Sequence, residues 1–292
     1  MKLDIALPFY GDVTFLRETV ASVLAQTDPN WCLLVVDDGY PDESLPGWFA
    51  DLNDDRIFYQ RNEVNLGANG NFQKCLKLVT SEYCVVMGAD DLLEPNYVEI
   101  MRIAATENPG LAMFHPAVTI INEENVGIET RLDRVKNLIR PSGTSPQVVS
   151  GEVLAKSLMR GNWMYFPSII WKTEKIKAIG FRPGLNVCQD LALAVDVIIA
   201  GGELVILDDK LFRYRRHSSS DSSVRAFSGE RFVEEADFFN GLAREFKKMG
   251  WKKAAREARL HLTSRLHAAT IIVPVIKAKQ NPSALLRHLF LS

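Results

Sequence analysis

The chain has 292 residues, 47% of them hydrophobic and 24% charged, with a formal net charge of −2. At ~100 to 200 residues per domain this length allows one large domain or two smaller ones, and so ordinary a composition excludes disordered, collagen-like and coiled-coil chains. The near-neutral balance also excludes a nucleic-acid footprint spread over the whole chain.

Residues 1–8 carry Asp4 and Pro8 where a secretory signal keeps an apolar core, so they are expected to form a strand over residues 3–7. Asp12 then caps a helix that places Leu16, Val20, Val23 and Leu24 at helical spacing. Residues 32–36 are an unbroken apolar run ending in Asp37-Asp38-Gly39, the pattern of a strand buried on both faces of a parallel sheet. Residues 56–60 predict a third strand and 69–78 a helix, and 83–87 predict a fourth strand ending in Gly88-Ala89-Asp90-Asp91. Strands alternating with helices predict an α/β sheet, in which ligands gather beyond the carboxyl ends of the strands. Those ends carry Pro8-Phe9-Tyr10, Asp37-Asp38, Asn65-Leu66-Gly67 and Asp90-Asp91.

A helix is expected from Pro95 to about Thr106, then strands over 111–114 and 118–121. Residues 131–150, with Pro141, Gly143 and Pro146, read as a mobile loop. Ser150 caps a helix to Arg160, residues 168–171 form a strand, 191–200 a helix, and 211–214 a last strand leading into Arg215-Arg216-His217. Beyond the serine-rich stretch 218–223 the character changes to amphipathic helices, which places a boundary near residue 225. Residues 1–225 hold 22 Lys+Arg against 30 Asp+Glu, and residues 226–292 hold 12 against 6, so an acidic body carries a basic tail.

Several residues carry chemistry. Asp90 and Asp91 repel each other unless a cation compensates, and oxygen ligands of this kind suit Mg²⁺ or Mn²⁺; the alternative is a turn that caps the next helix. A carboxylate at Asp37 or Asp38 either ends a strand in a turn or accepts hydrogen bonds from a nucleobase. The run Asn65, Leu66, Gly67, Ala68, Asn69, Gly70, Asn71 is either a loop with a helix cap or a backbone-rich wall under a nucleotide. Asp190 opens a helix, as a dipole-favoured acid or as a general base, and the imidazole of His217 suits a divalent metal. Cys32, Cys75, Cys84 and Cys188 show no CxxC pair and are expected to be buried thiols of a reducing compartment.

Together, Leu7-Pro8-Phe9-Tyr10, the helix around Leu16 to Thr27, Val35-Val36-Asp37-Asp38-Gly39, Asn65-Leu66-Gly67, Ala89-Asp90-Asp91, Gln189-Asp190 and Tyr214-Arg215-Arg216-His217 resemble the inverting family-two glycosyltransferases. The resemblance covers residues 1–220 and implies the GT-A fold: a Rossmann-like, mixed but mostly parallel sheet flanked by helices, here with a C-terminal helical extension. It implies an inverting enzyme of the hexosyltransferase type in polysaccharide biosynthesis. A nucleotide-sugar half over about 1–110 would bind a UDP, GDP or dTDP sugar, and an acceptor half over about 111–225 would take a glycan or glycolipid.

By the resemblance, Pro8, Phe9, Tyr10, Asp37, Asp38, Asn65, Gly67, Asn71 and Asp90 bind the donor, Asp91 and His217 hold the metal, and Asp190 is the base. Gly88 and Gln189 depart from the family, which often has acids at both places. An inactive GT-A-fold binding or scaffold protein is the alternative. A nucleotidyltransferase is not favoured, because Pro8-Phe9-Tyr10-Gly11 stands where its glycine- and arginine-rich loop belongs.

The apolar run 268–276 is broken by Pro274 and is shorter than the ~20 residues that cross a bilayer. A cytoplasmic protein is expected, either soluble or peripheral at the inner face of the membrane. The tail, residues 226–292, has two readings. Its apolar residues pack on the body or on a second subunit of a homodimer, or they meet an anionic membrane surface beside the basic ones.

Overall fold

The computed structural model describes residues 1–217 and 229–290. The first half is the expected alternation: β1 (Leu3–Phe9), α1 (Val13–Leu24), β2 (Trp31–Asp37), α2 (Leu45–Asp51), β3 (Ile57–Arg61), α3 (Gly67–Leu78) and β4 (Tyr83–Val86). Asp12 caps α1 as its sequence position suggests, accepting from the Thr14 and Phe15 N–H groups at 2.6 and 3.4 Å. The short α2, led by Leu45 and Phe49, was not expected.

The second half runs β5 (Leu92–Leu93), α4 (Tyr97–Glu107), β6 (Met113–Ile121), α5 (Arg131–Ile139), β7 (Gln147–Ser150), α6 (Gly151–Arg160), β8 (Ile170–Lys172), α7 (Thr173–Ile179), α8 (Gln189–Ile199) and β9 (Glu203–Arg215). Two expectations are corrected here. The strands expected over 111–114 and 118–121 are one strand, which passes Pro116 by shifting register against β9 between His115 and Val118; proline has no N–H for the ladder. Residues 131–150 are not a loop throughout. Thr130 and Asp133 form a reciprocal capping box that starts α5. That helix leaves Val135 and Leu138 exposed, Leu138 by 85%; its apolar residues at 132, 135, 138 and 139 do recur at helical spacing, and the proline- and glycine-bearing stretch after residue 140 drew the whole span into the loop expectation. Ser150 occupies the N-cap of α6, but its side chain makes no capping bond.

The sheet order is β3-β2-β1-β4-β8-β6-β9-β5, with β7 also on β9. The pairings β1–β2, β2–β3, β1–β4 and β6–β9 are parallel; β8, β5 and β7 join antiparallel. Strand order reverses direction at β1, so the crevice for a ligand opens at the carboxyl ends of β1, β2 and β4. The pleat sends alternate residues to two cores. Leu3, Ile5, Leu7 and Phe9 face α1, α2 and α4, whereas Ala6, Val36 and Val86 face α3, α6 and α8. All four cysteines are buried and free.

Beyond residue 229 come α9 (Glu230–Lys248), α10 (Lys252–Leu260), α11 (Leu262–Lys277) and α12 (Ser283–Phe290). The expected boundary near residue 225 lies outside the described residues. Phe238, Phe239, Leu242 and Phe246 of α9, with Ala254 and Ala258 of α10, enter the same core as α6 and α8. Val275 and Leu285 bury against Phe232, while Leu260, Leu262, Leu266, Val273, Ile276, Leu286 and Phe290 face solvent, Phe290 by 76%. Among the described residues no helix is long and apolar enough to cross a membrane.

Candidate active site

The end of β4 is the centre of the site. Asp91 is buried; its Oδ1 accepts the Arg215 backbone N–H at 2.9 Å and its carbonyl accepts the Thr19 hydroxyl at 2.8 Å. Burial first, and then the charge of Asp90, push its carboxyl well above the usual carboxylate range, against the Arg215 N–H and guanidinium. Asp90 Oδ2 lies 2.8 Å from His217 Nε2, and this bond raises the His217 imidazole against the effect of burial. A Cβ at Gly88 would stand 2.7 Å from Asp90 Oδ1 and 2.8 Å from Asp91 Oδ2. With glycine here the two carboxylates converge on one point, and a side chain at residue 88 would make both shift.

Four residues to which sequence reasoning gave no role hold this end in place. Arg215 is buried over the Phe15 ring; its Nε donates to the Asp90 carbonyl at 2.7 Å and its Nη2 to Glu18 Oε2 at 2.7 Å. Thr19 and Ser22 of α1 lie on the side of Gln26, just beyond the helix end, and the bonds of Ser22 and Gln26 with residues 93, 94 and 98 fasten the segment that follows Asp91. A polar stripe at this spacing, on a helix otherwise facing the core, was the available signal.

The remaining donor candidates separate into rim and interior. Tyr10 is 57% exposed and Pro8 half-buried, with Tyr10 edge-on to Tyr40 at 5.3 Å. Phe9 points the other way, into the core, because alternate strand residues face opposite sides. Asp37 and Asp38 are 0% and 2% exposed and also turn inward. Asp37 accepts the Tyr40 N–H at 2.7 Å and the Tyr59 hydroxyl at 2.5 Å; Asp38 accepts Asn62 Nδ2 at 2.7 Å and the Leu66 N–H at 2.8 Å. In this structure both carboxylates shape the loops that wall the crevice. Asn71 is likewise buried, donating to the Val36 carbonyl at 2.8 Å, whereas Asn65 and Gly67 are exposed at the start of α3, Gly67 with φ of +71°.

Asp190 stands in the first turn of α8 on a cavity of about 470 Å³ that Lys136, Tyr165, Tyr214, Arg216 and Arg231 also line. Burial pushes its carboxyl up, against the Leu191 N–H and the charges of Lys136 and Arg231. Lys136 lies 4.0 Å over the Tyr165 ring, and burial and then Arg216 bring its ammonium down to about 8. Asp133 accepts Arg216 Nη2 at 2.6 Å and the Tyr165 hydroxyl at 2.9 Å, which makes α5 part of the wall. Tyr214 joins the two halves: after burial, the carboxylates of Asp91, Asp90 and Asp190 all push its hydroxyl up. Gln189 Oε1 accepts Asn69 Nδ2 at 2.8 Å, so the residue departing from the family ties α8 to α3.

Glu234 of α9 is the other residue missed. Its carboxylate accepts the backbone N–H groups of Asn186, Val187 and Cys188 at 2.7 to 3.1 Å, just ahead of α8, where a negative charge is favoured by the helix dipole. Glu234→Ala is expected to cost ~1–3 kcal/mol by leaving these donors without their acceptor, and to speed hydrogen exchange at residues 186–190. Unchanged exchange there would show that the start of α8 stands without it.

A divalent cation fits this donor set in kind: hard carboxylate oxygens converge beside Gly88 and an imidazole adjoins them. Among the described residues no three His, Cys, Asp or Glu side chains form a ready-made cage. A cation here would keep one or two protein ligands and take the rest from a ligand and water, as Mg²⁺ commonly does.

With this geometry in view, the comparisons with known proteins are specific. The model of Glycosyl transferase family 2 matches residues 4–173. An uncharacterized glycosyltransferase of Rickettsia conorii is 25% identical over 202 residues, which are 68% of this chain and 31% of the relative, so the chain spans about a third of that protein. Residues 1–349 of Staphylococcus aureus TarS, in complex with UDP-GlcNAc, align over 99% of this chain and 90% of theirs at 14% identity and a TM-score of 0.59. A mannosyltransferase from Pyrobaculum calidifontis, in complex with GDP-Man and Mn²⁺, aligns over 98% of this chain and 78% of its own at 16% identity and a TM-score of 0.64. The fold is thus the GT-A arrangement that the sequence resemblance implied.

Proposed function

The chain belongs to Glycosyl transferase family 2, and from that premise we propose that it moves a sugar from a nucleoside-diphosphate donor to a hydroxyl of a glycan or glycolipid, with inversion. The observation that carries the reading is the nearness of two acidic centres: Asp91, beside Asp90 at the switch point of the sheet, accepts the Arg215 N–H at 2.9 Å, and the preceding residue, Tyr214, lines the cavity of Asp190. Residues of about 1–110 form the donor half, with Pro8, Tyr10, Asn65 and Gly67 at its rim. The acceptor side comes from about 111–225 and from the helices beyond.

In the reaction Asp190 removes the proton of the acceptor hydroxyl as that oxygen attacks the anomeric carbon, and the bond from this carbon to the donor phosphate breaks. Inversion by one displacement needs no enzyme nucleophile. Asp91, with Asp90 and His217 beside it, would hold Mg²⁺ or Mn²⁺, which supplies neutralisation of the charge growing on the departing diphosphate. Arg215 keeps both carboxylates in place through its N–H and guanidinium bonds.

Calorimetric titration with UDP, GDP and dTDP, in Mn²⁺ or Mg²⁺ and again in EDTA, tests this reading. One nucleotide should bind in a metal-dependent way, and binding of none of the three would overturn it.

We also propose that the protein works as a peripheral protein at the inner face of a membrane, with α10 to α12 on an anionic lipid surface. Solvent-facing Leu260, Leu262, Leu266, Val273, Ile276, Leu286 and Phe290 support this, beside Arg256, Arg259, Lys277, Lys279 and Arg287. The expected result is sedimentation with anionic vesicles at low salt, release at high salt, and none with neutral vesicles, each basic residue contributing ~1 kcal/mol. A dimer in solution that ignores vesicles would assign the same surface to a second subunit.

A further inference from the structure

Lys136, Arg216 and Arg231 line the cavity beside Asp190, and each is held by something other than that carboxylate. Arg216 donates Nη2 to Asp133 at 2.6 Å, Lys136 lies 4.0 Å over the Tyr165 ring, and Arg231 donates Nε to Glu235 at 2.7 Å. Asp190 accepts the Leu191 N–H and forms no ion pair among the described residues. The described residues that line the cavity include two carboxylates, Asp190 and Glu235. Arg231 thus shares an enclosed space with two anions and sits on the one that takes no part in the reaction.

The far side of Glu235 fixes that choice. Glu235 is buried on α9, four residues after Arg231, which puts the pair on one face of the helix. Its second oxygen accepts the Ser264 hydroxyl of α11. A hydroxyl has a single proton, so Ser264, having given it to the carboxylate, accepts the Nε2–H of His288 on α12 at 2.7 Å. Burial, and after it the charge of His261, bring the His288 imidazole down to about 4, so at neutral pH it donates without a charge. His261 and His267, whose imidazoles also feel Glu235, are held below their ordinary value chiefly by burial. At neutral pH Arg231 is then the cation paired with Glu235.

We propose that Glu235 is a positioning residue of this site: it holds Arg231 beside Asp190 and off it, so that the carboxylate of the base keeps its lone pairs for the acceptor proton. This deepens the glycosyltransferase reading and rests on it for the role of Asp190. A carboxylate gripped by a guanidinium is a weaker base, its pKa falling by ~1–3 units. The charges that act most on Asp190 are those of Lys136 on α5 and Arg231 on α9, and the Tyr214 hydroxyl and Arg216 of the strand end face the same space. Of these cations, Arg231 is the one held by a carboxylate that α11 and α12 keep in place.

The test follows the Asp190 carboxyl itself, by carbon NMR of the full chain carrying isotope-labelled aspartate, its signal identified by its loss in Asp190→Asn. Arg231→Gln should raise the pH at which Asp190 titrates, because a nearby cation is lost. Glu235→Gln keeps the size of the side chain and removes its charge, so Arg231 should turn to Asp190 and lower that pH by ~1 to 3 units. In the protein with both substitutions no arginine is left to turn, and Asp190 should titrate as in Arg231→Gln alone, well away from the sum of the two shifts. Shifts that add, as two stationary charges would give, would overturn the proposal. So would a Glu235→Gln protein in which Asp190 titrates as in the wild type. If Glu235→Gln does not fold by itself, the double variant still decides, since stationary charges would place it below Arg231→Gln. Failure of UDP, GDP and dTDP all to bind would instead remove the glycosyltransferase reading and leave these shifts as they are.

Discussion

Asp190→Asn is expected to lower turnover ~10²- to 10⁴-fold while donor affinity stays in place, because general-base catalysis contributes that much and the amide takes no proton. The substitution keeps the size of the side chain and an oxygen that still accepts the Leu191 N–H, now 2.7 Å from Asp190 Oδ1, so α8 should begin as before. The pH dependence carries a sign. Since burial raises the Asp190 carboxyl above its ordinary 3.8, the base form is lost earlier as pH falls, and the acid limb of kcat/KM should lie above the usual carboxylate range. A variant that melts early yet transfers sugar at the wild-type rate would reduce Asp190 to a helix-start acid. An acid limb at or below 3.8 would separate it from the rate-limiting proton transfer.

Asp91→Asn should act in the opposite way, on binding and not on folding. An amide oxygen still accepts the Arg215 N–H and the amide nitrogen faces Asp90, where two carboxylates now repel each other inside the protein. The protein without ligands should therefore melt no earlier than the wild type, and the metal-dependent part of nucleotide affinity should fall by more than the ~10- to 100-fold that loss of a ligand's supporting partner costs. Calorimetry in metal and in EDTA reads the binding, and thermal unfolding without nucleotide reads the fold. If the variant binds nucleotide as tightly as the wild type in metal, Asp91 is structural only.

The residues that were legible are those whose pattern is local. Apolar runs at 32–36 and 83–86 flanked by helical spacing announce buried parallel strands, and a carboxylate pair directly after such a strand must lie at its carboxyl end. That reasoning located Asp90 and Asp91 at the mouth of the crevice. It missed α5, whose apolar residues at 132, 135, 138 and 139 keep helical spacing and whose start is a capping box, because Pro141, Gly143 and Pro146 just beyond it marked the whole span as a loop.

Sequence by itself determined the α/β class, the strand ends that meet in the crevice and the carboxylates that gather there, because hydrophobic period and turn residues act within a few positions of themselves. Only the tertiary structure decided which way those side chains face. Asp37 and Asp38 turn inward because Tyr59, Asn62 and the Leu66 N–H come from a neighbouring strand and loop, and Asp91 is held by an N–H 124 residues away. Glu234 reaches α8 from a helix that composition marks only as part of a basic tail. A buried polar group costs ~1–3 kcal/mol unless it is satisfied, and its partner is supplied by whatever the folded chain brings near, at separations no local pattern encodes.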